Sequence, residues 1–236
     1  MSRLDNYLVE NGQCESRNKA QSIIKEGLVS VNGEQIIKSS HTLKSSDKVV
    51  VKEHKEYVSR GAFKLSAFLG ELKLNLKDKI AIDIGSSTGG FTQVLLEEGA
   101  KEVTAVDVGR EQLHISLKND ARVHSFEGCD IREFESEKKF DIVVSDVAFI
   151  SLLHILDDVE RLSKDKIILL FKPQFEVGRE AKRDKNGVVT DEKAILQAMI
   201  KFEDACRLKG WKLVLKSPSK LTGKEGNLEY CYFFEK

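Results

Sequence analysis

Apolar residues along this chain recur with two different periods, and the change between them divides it. Over residues 4–24 the spacing is helical. Leu4, Tyr7 and Leu8 share one face, Ala20, Ile23 and Ile24 a second, with Ser2 and Ser16 placed as N-caps and Gly27 as a stop. Leu28–Val31 and Glu34–Ile37 then flank Asn32-Gly33, a dipeptide that tolerates positive φ twice and so predicts a tight hairpin. Two small helices on a small sheet are expected for residues 1–52. Lys52-Glu53-His54-Lys55-Glu56 is charged and has no apolar side chain, which suits a linker, taken here as 53–58, with His54 in solvent. A helix opens the remainder, residues 59–236, from about Tyr57 to Leu69. Short apolar runs then predict strands near 80–84, 102–106, 123–126, 140–145, 166–171, 211–217 and 228–235. Amphipathic stretches between them predict helices near 89–98, 110–117, 152–163 and 191–209. This alternation builds a doubly wound, mostly parallel α/β sheet, and the last two strands, joined by a Lys/Gly/Ser-rich loop, should pair antiparallel.

The first strand of that series, Ile80-Ala81-Ile82-Asp83-Ile84, runs into Gly85-Ser86-Ser87-Thr88-Gly89-Gly90 and then into a helix. Small residues let backbone turn tightly and approach a ligand. Against the dinucleotide fingerprint the middle glycine is replaced by Ser87, which weakens a pyrophosphate reading. Asp83 suits a cationic amino group, such as the one S-adenosylmethionine carries. Asp107 follows at the next strand's end, where an acid binds ribose hydroxyls in either ligand class. The turn alone leaves a dinucleotide and S-adenosylmethionine both open; the antiparallel final pair favours the latter. The residues expected at the ligand are Asp83, Gly85, Ser87, Gly89, Gly90, Phe91, Asp107 and Asp146, with Asp130 and Ile131 at the adenine end.

Charge changes the picture locally. The chain holds 38 basic and 38 acidic residues, so any nucleic-acid binding must come from patches. One such patch is Arg3, Arg17, Lys19 and Lys25, on or beside the two N-terminal helices. Four scattered cysteines without paired spacing, no secretory signal and no apolar run of membrane-spanning length read as a reduced, cytoplasmic, soluble protein with no metal site.

Chemistry should lie just beyond the strand ends. Asp146 ends one buried run and Lys172 the next, so adjacent parallel strands would bring them side by side; a structural ion pair would look the same. None of the cysteines is placed as a nucleophile for base-carbon methylation, and Ser145-Asp146-Val147-Ala148-Phe149 lacks the prolines usual in amine methylation, which leaves oxygen as acceptor. Residues 176–190, polar and glycine-bearing, could form an RNA-contacting flap or a plain solvated loop.

Two resemblances sharpen this. Ser2-Arg3-Leu4-Asp5, Ser16-Arg17-x-Lys19-Ala20 and Gly27-x-Val29-x-Val31-Asn32-Gly33 resemble the small RNA-binding module named after ribosomal small-subunit protein four. The resemblance implies that Arg3, Arg17, Lys19 and Lys25 face RNA phosphates. Lys64, Asp146, Lys172 and Glu229, in that order, match the Lys-Asp-Lys-Glu tetrad of ribose 2′-O-methyltransferases. With Tyr57-Val58-Ser59-Arg60-Gly61, Asp107-Val108-Gly109 and Lys172-Pro173-Gln174-Phe175-Glu176, the chain resembles, nearly end to end, the TlyA (haemolysin A) family of rRNA cytidine 2′-O-methyltransferases. The resemblance implies a Rossmann-like methyltransferase sheet of the FtsJ type with its last strand antiparallel, S-adenosylmethionine as cofactor and ribosomal RNA or ribosomal subunits as partner. Lys172 is the implied base, Lys64 its perturbing neighbour and hydroxyl orienter, Asp146 and Glu229 the carboxylates that hold the lysines. A non-catalytic RNA-binding or assembly factor, or a nicotinamide-dependent oxidoreductase, would be the competing outcomes.

Overall fold

The computed structural model describes residues 2–25, 27–52 and 57–236. Contacts divide the chain into two compact units, residues 1–56 and 57–236. The linker expected over 53–58 and the solvated His54 fall, for residues 53–56, outside the described residues.

In the first unit, β1 (Ser2–Arg3) leads directly into α1 (Leu4–Glu10), followed by α2 (Arg17–Lys25), β2 (Val29–Val31), β3 (Glu34–Gln35), β4 (Thr42–Leu43) and β5 (Val49–Val51). Ser2 does not cap α1: it pairs with Leu43 across an antiparallel β1–β4 bridge, and Arg3 occupies the cap position without a capping bond. Ser16 does cap α2, its Oγ accepting from Lys19 N at 3.3 Å. Asn32 and Gly33 both take positive φ, and β2 pairs antiparallel with β3 on one side and β5 on the other. The hairpin's second strand ends at Gln35 rather than Ile37, because a new turn closes from Lys38 to His41 and leaves Ile37 in solvent. Leu4, Leu8, Ile23, Ile24, Val29 and Leu43 form the core.

The second unit runs α3 (Arg60–Leu72), β6 (Ile80–Ile84), α4 (Gly90–Glu97), β7 (Glu102–Asp107), α5 (Ile115–Lys118), β8 (Val123–Glu127), β9 (Phe140–Ser145), a 3₁₀ turn (Leu152–His154), α6 (Leu156–Leu162), β10 (Ser163–Phe171), α7 (Pro173–Glu176), α8 (Glu192–Leu208), β11 (Lys212–Pro218) and β12 (Tyr230–Glu235). The seven strands order as β11-β12-β10-β9-β6-β7-β8. Only β12 runs against the rest, antiparallel to both β10 and β11. Successive residues of the central strands point to opposite faces, and both faces are buried. Ile168 and Leu170 join the cluster under α3 and α4, while Ile167, Leu169 and Phe171 join the one under α6 and α8. That is why these strands read as unbroken apolar runs.

The helix expected over 110–117 is reduced to its last turn. Glu111 adopts φ 57°, and the Gln112 and Leu113 amides donate to Glu127 Oε1 instead of entering a helix, which starts only after His114. Strand order reverses between β6 and β9, so a crevice opens beyond their carboxyl ends. No helix among the described residues is long and apolar enough to cross a membrane.

Candidate active site

Three cavities meet at that crevice. The first, 290 Å³, runs from Gly85 and Asp107 to Cys129, Asp130 and Ile131. The second, 380 Å³, lies between the glycine turn and the start of α3, lined by Arg60, Gly61, Asp83, Gly85, Gly90 and Phe91. The third, 680 Å³, is walled by Lys64, Lys172, Phe149, Gln174 and Glu229. Asp146 lines the first two, Lys172 the second and third, and Ala148 all three.

The glycine turn closes through backbone geometry. Gly85 has φ 81°, and a Cβ there would lie 3.1 Å from Val147 Cα, so the turn and the segment after β9 touch backbone to backbone. Ser87 also adopts a left-handed φ of 47°. A Cβ on Gly90 would fall 2.0 Å from Ser59 Oγ and 2.9 Å from Ala62 N, which lets α3 close over the second cavity. Gly89, expected at the ligand, does not line a cavity: its missing side chain makes room for Leu113 and Leu117.

Asp83 is fully buried. Its Oδ2 accepts from Thr92 N at 2.9 Å and Thr92 Oγ1 at 2.7 Å, while Oδ1 finds no partner among the described residues. Burial, with smaller pushes from Asp146 and Asp107, raises this carboxyl to about 7. A buried orphan oxygen beside a cavity is costly unless a donor arrives.

Asp107 spends both oxygens on backbone, Oδ2 on Ser87 N at 2.8 Å and Oδ1 on Gly109 N at 2.6 Å, and still lines the first cavity. It therefore shapes the turn as well as facing the ligand space. Asp130 is held by Arg132 in a two-pronged pair at 2.9 and 2.5 Å, which keeps its carboxyl below the ordinary range. Ile131 is buried at the same end. Cys129 is half-buried and lines this cavity.

The tetrad converges as two ion pairs. Lys64 Nζ, from α3, stands 2.5 Å from Glu229 Oε2, just before β12, with both residues buried. Lys172 Nζ, at the end of β10, stands 2.6 Å from Asp146 Oδ1, at the end of β9, and donates to that residue's carbonyl. Asp146 N continues the sheet by donating to Ile84 O, and Gly61 gives its side chain room: a Cβ there would sit 3.1 Å from Oδ2. Burial raises the Asp146 carboxyl above its ordinary value, against the pull of Lys172 and Lys64.

Gln174, whose Nε2 donates to Glu229 Oε1 at 3.1 Å, and Arg60, whose guanidinium holds Thr222 O at 3.0 Å, stood in quoted motifs without an assigned role. Phe149 stood only inside a quoted motif. It is 92% exposed at the mouth of the first and third cavities, held at φ 65° with its ring 5.3 Å from Phe175. A bulky residue in the left-handed region is strained, and such strain collects where a side chain must be displayed.

In the first unit, Asp5 is fully buried, and Arg3, Arg17 and Gln21 all converge on its carboxylate. Arg3 above all, then Gln21 and Arg17, holds that carboxyl well below the usual range. Both guanidiniums remain largely exposed, and Lys25 is exposed on the same helix as half-buried Lys19.

Comparison with known proteins agrees with this geometry. Residues 57–236 match the FtsJ-like methyltransferase family and residues 2–49 the S4 domain. The chain is 44% identical to the 23S rRNA (cytidine-2′-O)-methyltransferase TlyA of Campylobacter jejuni, with 94% of each chain covered. It is 39% identical to Hemolysin A of Brachyspira hyodysenteriae, covering 98% of this chain and 99% of that one. Among solved structures, a hemolysin-named protein of Streptococcus thermophilus superposes with a TM-score of 0.74 at 36% identity, over 100% of this chain and 88% of that one. The chain belongs to the TlyA family and joins an S4 domain to an FtsJ-like methyltransferase domain.

Proposed function

We infer that this chain transfers a methyl group from S-adenosylmethionine to the ribose 2′-oxygen of a cytidine in ribosomal RNA. The observation that carries this reading is the meeting of two lysine–carboxylate pairs on the wall between a donor-sized double cavity and a larger third one. The donor fits the residues present: the orphan Oδ1 of Asp83 suits its amino group, Asp107 its ribose, and the apolar end near Ile131 its adenine. Bound there, the donor supplies a methyl carbon on a sulfonium leaving group.

The protein's own task is then to align a hydroxyl and remove its proton. Lys172 Nζ, which borders the second and third cavities, is assigned as the atom that takes the 2′-hydroxyl proton. Lys64, held by Glu229, orients that hydroxyl; Asp146 holds Lys172 and balances its charge. Lys172 takes that proton as the neutral amine, its own ammonium proton having left beforehand; it returns to ammonium as the sulfonium charge is lost, so the net charge in the site is unchanged by the transfer.

Phe149 serves as a stacking surface for the target base once it is drawn out of its RNA stack. Phe149→Ala should raise KM for RNA about tenfold, in line with the loss of one base–aromatic contact, and leave donor affinity unchanged. Equal KM in steady-state assays would remove the residue from the substrate site.

The S4 domain supports the RNA reading through phosphate contacts, with Arg3 and Arg17 splayed by Asp5. Arg17→Gln should lower the slope of log affinity against log salt by about one, without changing which RNA is preferred. An unchanged slope in a salt titration of RNA binding would mean no phosphate contact there.

The test of the whole reading is incubation of total ribosomal RNA with labelled donor, followed by nuclease mapping of 2′-O-methylated sites. Labelled cytidine 2′-O-methyl is the expected product. RNA binding without label would leave a non-catalytic RNA-binding protein.

A further inference from the structure

We propose that Gln174 is a positioning residue for the transfer: its Nε2 fixes the Glu229 carboxylate, and through it the Lys64 amine, in register with Lys172. The inference deepens the methyltransferase reading above and rests on it.

Four observations converge on this residue. A carboxylate only accepts hydrogen bonds, so the Gln174 amide must turn its Nε2 toward Glu229 Oε1, at 3.1 Å, while Glu229 Oε2 takes Lys64 at 2.5 Å. Glu229 is thereby gripped at both oxygens. The other end of the same amide, Oε1, is buried and accepts nothing among the described residues. A side chain kept for packing alone would be apolar here, since an orphaned acceptor costs stability. An amide retained with one end unsatisfied points to what its other end does.

The turn of chain around Gly223 is shaped to the pair. A Cβ on Gly223 would lie 2.6 Å from Glu229 Oε1 and 3.5 Å from Gln174 Nε2. Any side chain at Gly223 would intrude on that contact.

The position of Gln174 in α7 supplies the register. It stands two residues after Lys172, which is the helix's own N-cap. The rest of that single turn reaches the other wall of the third cavity. Phe175 packs against Phe149, and Glu176 accepts from Ser151 Oγ at 2.5 Å and Leu152 N at 2.8 Å. One rigid turn therefore holds the Lys172 backbone, the loop that follows Asp146 and the Lys64–Glu229 pair at fixed separations. The β10–β12 pairing, which sets Tyr230 opposite Phe171, places the Glu229 backbone near Lys172, and the Gln174 contact adds the hold on its carboxylate.

The experiment compares the full-length parent, Gln174→Leu and Gln174→Glu in steady-state methylation of ribosomal RNA across pH 6 to 9, with donor binding followed by calorimetry. Gln174→Leu should lose about a hundredfold in kcat, as expected when a catalytic group is displaced by about an ångström, with KM for RNA and donor affinity unchanged. Gln174→Glu places a second carboxylate against Glu229, near Lys64 from α3 and the Asp146–Lys172 pair at the ends of β9 and β10. The two carboxylates can share a proton at low pH but repel at high pH. Its kcat relative to parent should therefore recover as pH falls, by about tenfold between pH 8 and pH 6. A merely structural role would not produce that pH signature.

A Gln174→Leu kcat equal to parent, or a loss confined to KM, overturns the proposal. A flat ratio for Gln174→Glu overturns it too, and that variant carries the test alone if Gln174→Leu does not fold. A parent chain that binds donor and RNA yet transfers no methyl overturns the methyltransferase reading itself, and with it this inference.

Discussion

Lys172→Ala is expected to lower 2′-O-methylation by about a thousandfold, the scale of a lost general base, while donor and RNA affinities stay near those of the parent. The reason is its place: Lys172 borders both the donor side and the third cavity, and Lys64 lines only the latter. Lys172→Arg should be nearly as inactive, because a guanidinium keeps its proton at any working pH. The two lysines also differ in what their loss leaves behind. Glu229 is 2% exposed, so Lys64→Ala strands a buried carboxylate and should cost about 3–5 kcal/mol of stability. Lys172→Ala strands Asp146, whose Oδ1 is buried and whose carboxyl burial already raises; with 20% of that side chain exposed, the loss of stability should be smaller than for Lys64→Ala. Single-turnover methylation with saturating donor, beside a denaturant titration of each variant, separates these effects. A folded Lys172→Ala protein with near-normal transfer would sink the assignment of the base.

The sheet was legible because its strands are buried on both faces and its ligand side is marked at strand ends. Asp107, Asp146 and Lys172 each follow or close an apolar run, Asp83 interrupts one a residue before its end, and each stands at the crevice. Short elements were not legible. β1, β4 and β5 span two or three residues, too few for a period of two to register, and they are held by neighbours rather than by their own composition. α5 was overestimated because the competing acceptor, Glu127, lies 14 residues beyond Leu113. The tetrad's membership came from family resemblance; the Lys172–Asp146 pair was legible at adjacent strand ends, and the Lys64–Glu229 pair needed coordinates. Spacing alone offered nothing for Gln174 or Gly61, since an amide and a glycine carry no signal until the carboxylate each one serves is located in space.

Asp83→Asn should abolish measurable donor binding and at the same time make the ligand-free protein more stable at pH 8. The buried carboxyl is raised to about 7, mainly by desolvation, so between the ordinary carboxylate range and pH 7 the folded chain holds a proton that the unfolded chain has released. Stability is therefore lost as pH rises through that window. Above it, the penalty for keeping Asp83 ionised is on the order of 4 kcal/mol, and an uncharged amide relieves much of it. Donor binding runs the other way. A cationic amino group pairs with the ionised form, and its hydrogen bond would satisfy Oδ1, the oxygen that Thr92 leaves bare. Affinity for S-adenosylmethionine in the parent should thus weaken by about tenfold per unit as pH falls below 7, with proton release on binding in that range. The same site would be destabilising when empty and tight when filled, because one unpaired oxygen is responsible for both. Calorimetry in buffers of different ionisation enthalpy measures the released proton directly, and thermal unfolding of parent and Asp83→Asn at pH 5 and pH 8 measures the other half. A parent affinity that is flat from pH 5 to 8, or an Asp83→Asn protein that still binds the donor well, would break the link between the orphan oxygen and the donor's amino group.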